Sequence, residues 1–194
     1  MHLFFLRVSQ AMAILGGGVL LGVIAMVCAS IAGRTLNAFL NGDMMQTLAP
    51  GVSEALLATG IGPINGDYEI LEAAIAFVVF AWLPFCQITN GHASVDLVVR
   101  HFPRLVRQVL GGLADIAFAV VLVMIAWQLR EGMESKMRSG QTTFLLQFPV
   151  WWAYGLSLVA AAIAALVAVY VAVARIFEMV ADRTIITGVS GADH

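Results

Sequence analysis

Charged residues divide this chain into four long, almost uninterrupted apolar stretches. No charge stands between Arg7 and Arg34, and a second uncharged run, containing IAFVVFAWLPF, lies between Glu72 and Asp96. The third extends from Arg107 to Arg130, broken only by Asp115, and the fourth from Pro149 through WWAYGLSLVAAAIAALVAVYVAVA to Arg175. A bilayer core about 30 Å thick is crossed by roughly 20 apolar residues of helix. Because the runs are continuous and do not alternate, they predict helices and not barrel strands. The expectation is an all-α integral membrane protein, a single membrane domain over 1–194, with transmembrane helices at about 9–33, 68–90, 108–129 and 149–174. The first run is longer than a secretory core, and bulky Val27 precedes Cys28 where lipoprotein processing needs a small residue. It therefore reads as a retained anchor.

The segment from about 37 to 66 has a different texture, punctuated by Gly42, Pro50, Gly51, Gly60, Gly62 and Pro63. Ser53 reads as an N-cap and Gly60 as a C′ stop around SEALLAT. This predicts one short surface helix between spans 1 and 2, with Val52, Ala55, Leu56 and Leu57 facing lipid or a partner. Pro149 is expected in the first turn of the fourth helix, where its missing N–H costs least. Pro84 falls inside the second span and predicts a kink there. Trp151, Trp152 and Tyr154 form an interface belt where the fourth span opens, and Trp127 lies near the end of the third.

Composition narrows the function classes. The chain is 61% hydrophobic and only 11% charged, with a mean hydropathy of +0.93, which excludes a water-soluble globule. A net charge of −2 with ten Lys+Arg excludes a basic nucleic-acid face. Cys28 and Cys86 both sit in apolar runs, unlike a disulfide framework or metal cluster, and two of the four histidines, His2 and His194, are at the chain ends. Gly16-Gly17-Gly18 lacks the Lys of a phosphate-binding loop and reads as a place where another helix approaches closely. No catalytic, cofactor-binding or metal-ligating set emerges, so an enzyme is disfavoured. Four spans put both termini on one side, with Arg7, Arg100, Arg104, Arg107, Arg175 and Arg183. Arg34, Arg130, Lys136 and Arg138 lie on the other, so both termini are expected to be cytoplasmic.

Polar residues at the span edges are the candidates for chemistry. Glu69 and Glu72 are a helical turn apart, and a helix beginning near Asp67 would hold both in its first turn, at the positive end of the dipole. His92, Asp96 and Arg100 recur every four residues and share a face if helix continues past Gly91, as a solvated extension or a docking surface for another subunit. Asp115 is the one ionisable residue within a span. It reads either as part of an ion path or as a headgroup-depth residue near Arg107 and Gly111-Gly112, with no second polar group seen in a neighbouring span.

The stretch GDYEILEAAIAFVVFAWLPFCQITNGHASVDLVV resembles the small membrane subunits of tripartite ATP-independent periplasmic (TRAP) transporters, the DctQ-like family, through Glu69, Glu72, Gly91, His92, Val95, Asp96 and Leu97. SGQTTFLLQFPVWWAYGLSLVAAAIAAL is similar to that family's opening of its last span (Gly140, Gln141, Thr142, Pro149, Trp151, Trp152), and Arg34 with Asn37 to the end of its first. The stretch from 39 to 65 departs from the family in being longer. The resemblance implies a small scaffold subunit of a secondary transporter in the bacterial inner membrane, needed for sodium-coupled organic acid (carboxylate) uptake. Its implied partners are a large permease subunit that moves the solute, a transiently docking periplasmic substrate-binding protein and membrane lipid; no cofactor or nucleic acid is implied. Within that frame Glu69, Glu72, His92, Asp96 and Arg100 are candidate subunit-docking residues, and Arg34 a contact with the binding protein or headgroups. The alternative is an independent four-helix carrier or channel using Asp115.

Overall fold

In lipid every backbone N–H and C=O must be satisfied within its own segment, which makes long helices the outcome for apolar runs of this length. The structure, a computed structural model, describes residues 2–89 and 104–181. Its helices are α1 (His2–Leu40), α2 (Asp43–Leu48), α3 (Pro50–Ala58), α4 (Asp67–Ile88), α5 (Arg104–Ser139) and α6 (Trp151–Ala181). Of these α1, α4, α5 and α6 are long and apolar enough to cross a membrane. The chain is thus an all-α membrane protein with four candidate spans.

These four helices form a row and not a closed bundle. α1 packs on α4, α4 on α6, and α6 on α5. α6 is the middle of the row: half of its most apolar window is buried, against 17–22% in the other three. Its sequence explains why, since Ala160, Ala161, Ala164, Ala165, Ala168 and Ala172 are all buried. Small side chains on a helix let neighbouring backbones come close, which is the main source of attraction between helices in lipid. Ala164, Ala165, Ala168 and Ala172 meet Ala119 and Leu122 of α5, while Ala160 joins Ala81 of α4 and Met12 of α1. At the end near the chain termini, Phe5 of α1 stacks on Tyr170 of α6 at 4.2 Å.

The glycine run in α1 serves a helix contact at one position. A Cβ on Gly16 would stand 3.0 Å from Ala81 and Trp82, whereas Gly17, Gly18 and Gly22 have open space beside them. The Trp82 indole N–H donates to the Ala13 carbonyl at 3.2 Å, fixing the same crossing. α4 runs on through Pro84, which is fully buried.

Two features differ from the sequence expectations for the inter-span segment. It holds two short helices, α2 and α3, hinged at Ala49, and not one. Ser53 does not cap a helix: it lies inside α3, fully buried, and its hydroxyl donates to the Leu40 carbonyl at 2.6 Å while accepting from Gln46 at 3.3 Å. The last carbonyls of a helix need external donors, and at Leu40 that need outweighs local capping preference. Gly60 does stop α3, in a left-handed conformation two residues beyond Ala58. Pro149 also differs. It precedes α6 and pairs with Thr142 in an isolated bridge, because the loop before α6 closes on itself through Thr143 N–H to Phe148 C=O and Val150 N–H to Gln141 C=O, both 3.0 Å.

Where the chain returns from α3, the backbone at Gly62 lies directly against Gly33 of α1, in the space a Cβ would need. A backbone carbonyl cannot swing away as a side chain can. Gly33→Ala is therefore expected to destabilise by about 2 kcal/mol through overpacking, seen as a lower thermal midpoint in detergent, whereas Gly17→Ala leaves the midpoint unchanged or raises it through better helix propensity. Equal effects of the two substitutions would contradict the packing described.

Candidate functional site

Polar residues gather at the two ends of the row. At the end remote from the termini, Asp67 opens α4, and Gly66 before it holds φ of +80°. Left-handed backbone suits glycine, and Leu146 also packs where a Cβ would stand, with its Cδ atoms 2.8 and 2.9 Å away. The Asp67 carboxylate accepts a 2.6 Å hydrogen bond from Ser30 of α1 and one of 2.8 Å from the Tyr68 N–H, and the Arg34 guanidinium lies 3.7 Å away. Ser30 in turn accepts from the Ile64 N–H at 3.2 Å. Two turns beyond Ser30 on α1, Asn37 donates to the Ile61 carbonyl at 2.9 Å. Ser30 and Asn37 therefore fasten the returning chain to α1, and Arg34 ties α1 to the start of α4. Arg34 keeps just over half of its side chain exposed.

Glu69, in the first turn of α4, reaches across to the loop between α5 and α6. Its two carboxylate oxygens accept from the Leu145 N–H at 2.6 Å and the Leu146 N–H at 2.9 Å. These are charge-assisted bonds, shorter and stronger than neutral ones. They hold a tight turn whose Gln147 has φ of 52° and whose tip residue Phe144 is almost fully exposed. Glu72 stands in the second turn of α4, not the first, and is exposed. Behind the loop lies a cavity of about 480 Å³ bounded by Glu69, Glu72, Phe144, Phe148, Tyr154 and Ser157, among others. Trp151 and Trp152 lie at the same end, ring edge to ring face at 6.0 Å.

At the opposite end the structure corrects the expectation that Asp115 has no polar neighbour in another span. Its carboxylate accepts from the Gln87 amide of α4 at 3.0 Å and forms an ion pair with Arg175 of α6 at 3.1 Å. Asp115 and Gln87 are buried, and 27% of the Arg175 side chain is exposed. Gly111, one turn before Asp115, leaves room for the guanidinium: a Cβ there would sit 3.5 Å from Nη1. An uncompensated carboxylate in lipid is costly, and this one is answered from two other helices.

The sequence-predicted candidates are thus scattered. Glu69 and Glu72 share one cavity, Arg34 joins Asp67 beside it, and Asp115 is at the far end. His92, Asp96 and Arg100 lie outside the described residues. Sequence reasoning missed Gln87, Arg175 and Ser30 as partners and Ser157 as a buried polar group; a polar residue inside an apolar run, as Gln87 and Ser157 are, was the available signal. Among the described residues no group of three or more His, Cys, Asp or Glu is placed to hold a metal ion.

The geometry gives two expected outcomes. Asp115→Asn leaves the Arg175 cation without its counter-charge and is expected to cost about 3 kcal/mol, since breaking one side of a buried pair is the expensive step. The double change Asp115→Leu with Arg175→Leu should recover most of that midpoint loss; an unchanged midpoint in Asp115→Asn would contradict the ion pair. Glu69→Gln keeps one acceptor oxygen of two, so hydrogen exchange at the Leu145 and Leu146 amides should speed up about tenfold, while unaltered exchange would contradict the clasp.

Comparison with known proteins adds one match: the family model described as "Tripartite ATP-independent periplasmic transporters, DctQ component" covers residues 23–179. No curated protein and no solved structure matches this chain.

Proposed function

Because this chain belongs to the DctQ family, the small membrane component of TRAP transporters, we propose that it is the fixed scaffold beside a large permease that carries the solute. Members of this family are transporter components and not enzymes, and they work with a large permease and a periplasmic binding protein. Family and apolar helices together place the chain in the bacterial inner membrane. The carried solute in this reading is an organic acid taken up with sodium, and both termini are cytoplasmic, in keeping with Arg7 and Arg175 at the termini's end of the row.

The observation that carries the scaffold reading is the open row. A chain that conducted solute by itself would need a polar path enclosed among its helices. Here the helices stand side by side around the alanine face of α6, and large side chains such as Ile14, Leu21, Ile24, Val120, Met124 and Leu166 remain exposed along their flanks. Such flanks suit lipid on one side and a larger helical partner on the other. The pairing of Asp115 with Gln87 and Arg175 removes the main support for an independent carrier or channel built on that carboxylate.

Docking is assigned to two places. The end bearing Arg34, Asp67 and the Glu69-held loop faces the periplasm and meets the binding protein transiently, with the half-exposed Arg34 guanidinium and the loop tip as contacts. The stripe His92, Asp96 and Arg100 meets the large permease, on the four-residue spacing read from the sequence. Co-expression with a large permease subunit of the TRAP type and purification through a tag on this chain tests the reading. The large permease is expected to co-purify, and alanine at His92, Asp96 and Arg100 together should lower its yield several-fold. A permease that never co-purifies, or full yield from the triple variant, would contradict these assignments.

A further inference from the structure

α4 and α5 both lean on α6 instead of on one another, which leaves a groove between them with α6 as its floor. The upper part of this groove is the 480 Å³ cavity behind the Glu69-held loop. A second cavity of about 500 Å³ continues from it, lined by Phe80, Val121, Met124, Ile125, Gln128 and Leu129. Leu129 belongs to both, so the two adjoin at that residue and together extend inward from the end of the row, the second as an open groove between α4 and α5. Phe80 stands eleven residues beyond Glu69 on α4, about 16 Å of helix.

Chemistry changes along that slot. The mouth is acidic: Glu69 and Glu72 line it, and among the described residues no Lys or Arg does. Glu69 already spends both oxygens on the Leu145 and Leu146 amides, whereas Glu72 is exposed and in no ion pair among the described residues. Glu72 and Ser157 line the same cavity, each in the second turn of its helix, α4 and α6. Ser157 is 1% exposed and its hydroxyl has no hydrogen-bond partner among the described residues, although a buried hydroxyl left alone is costly. Tyr154 lines the same wall. Past this polar level the surfaces are Ala73, Ala76 and Leu129, then the Phe80 and Met124 side chains.

We propose that this slot binds a phospholipid whose headgroup ends in a primary ammonium, as in phosphatidylethanolamine, with the ammonium at Glu72 and Ser157 and one acyl chain along the α4–α5 groove. A primary ammonium carries three N–H donors. Glu72 supplies a charged acceptor and Ser157 a buried neutral one, which together match that cation and leave no role for an anionic headgroup. A lysine side chain from another protein carries the same cation, but its four-carbon stem ends well short of the Phe80 level. The length of the apolar groove therefore favours a lipid tail. Position agrees, because Trp151, Trp152 and Tyr154 mark headgroup depth at this end.

The test is lipid retention by the full chain purified in mild detergent, read by native mass spectrometry against phosphatidylethanolamine, phosphatidylcholine and phosphatidylglycerol. The ethanolamine lipid should be retained about tenfold better than the other two, the difference a charge-assisted hydrogen bond supplies. The choline lipid has a cation without N–H donors, and the glycerol lipid has no cation. Glu72→Gln, at an exposed position that does not threaten folding, should remove the preference. Ala76→Leu, which fills the groove, should lower retention of all three, and an unchanged thermal midpoint of the lipid-free variant would show it to be folded. Equal retention of the three lipids, or a preference that survives Glu72→Gln, would overturn the proposal.

Discussion

Lipid tails are as apolar as leucine, so helices in a membrane gain little by hiding leucine from them. Attraction has to come from close backbone approach and from polar groups that find partners. In this chain one helix meets that demand for the rest: α6 carries small side chains on the surfaces it turns to its two neighbours, and half of its apolar window is buried. α4 and α5 each settle on it and α1 settles on α4. The row, its exposed flanks and the groove between α4 and α5 all follow from that single alanine-rich surface.

The polar links complement the packing at its two ends. Near the termini, Asp115 ties α4, α5 and α6 together through Gln87 and Arg175. At the other end Asp67 joins α4 to α1 through Ser30 and Arg34, and Glu69 joins α4 to the loop before α6. α4 contributes a residue to each of these three clusters. The middle of the row is held by shape and its ends by charge and hydrogen bonds. A part that stays still while a neighbour moves needs this kind of rigidity, since isolated apolar contacts in lipid slide at little cost.

Much of this was legible in the sequence, and the reasons it was or was not are physical. Span number follows from length and charge placement alone, because the bilayer imposes both. The stop at Gly60 follows from local backbone preference. Ser53 and Pro149 were misread for a shared reason: each obeys a partner distant in the chain, the Leu40 carbonyl in one case and the Thr142 bridge in the other, while capping rules see only neighbours. Asp115 was read as isolated because Gln87 and Arg175 lie on other helices. The buried Ser30 and Ser157 were overlooked since serine in an apolar helix is common. The order of helices, with α6 inside and α5 outside, is set by which faces are small, and the run AAAIAALVAVYVAVA held that signal.

Reconstituted transport tests the scaffold account most directly. Vesicles holding the large permease and supplied with its binding protein would be compared with and without this chain, and with vesicles holding this chain alone, by uptake of the solute under a sodium gradient. Uptake is predicted only when this chain and the permease are present together. Undiminished uptake without this chain, or uptake by this chain alone, would contradict it.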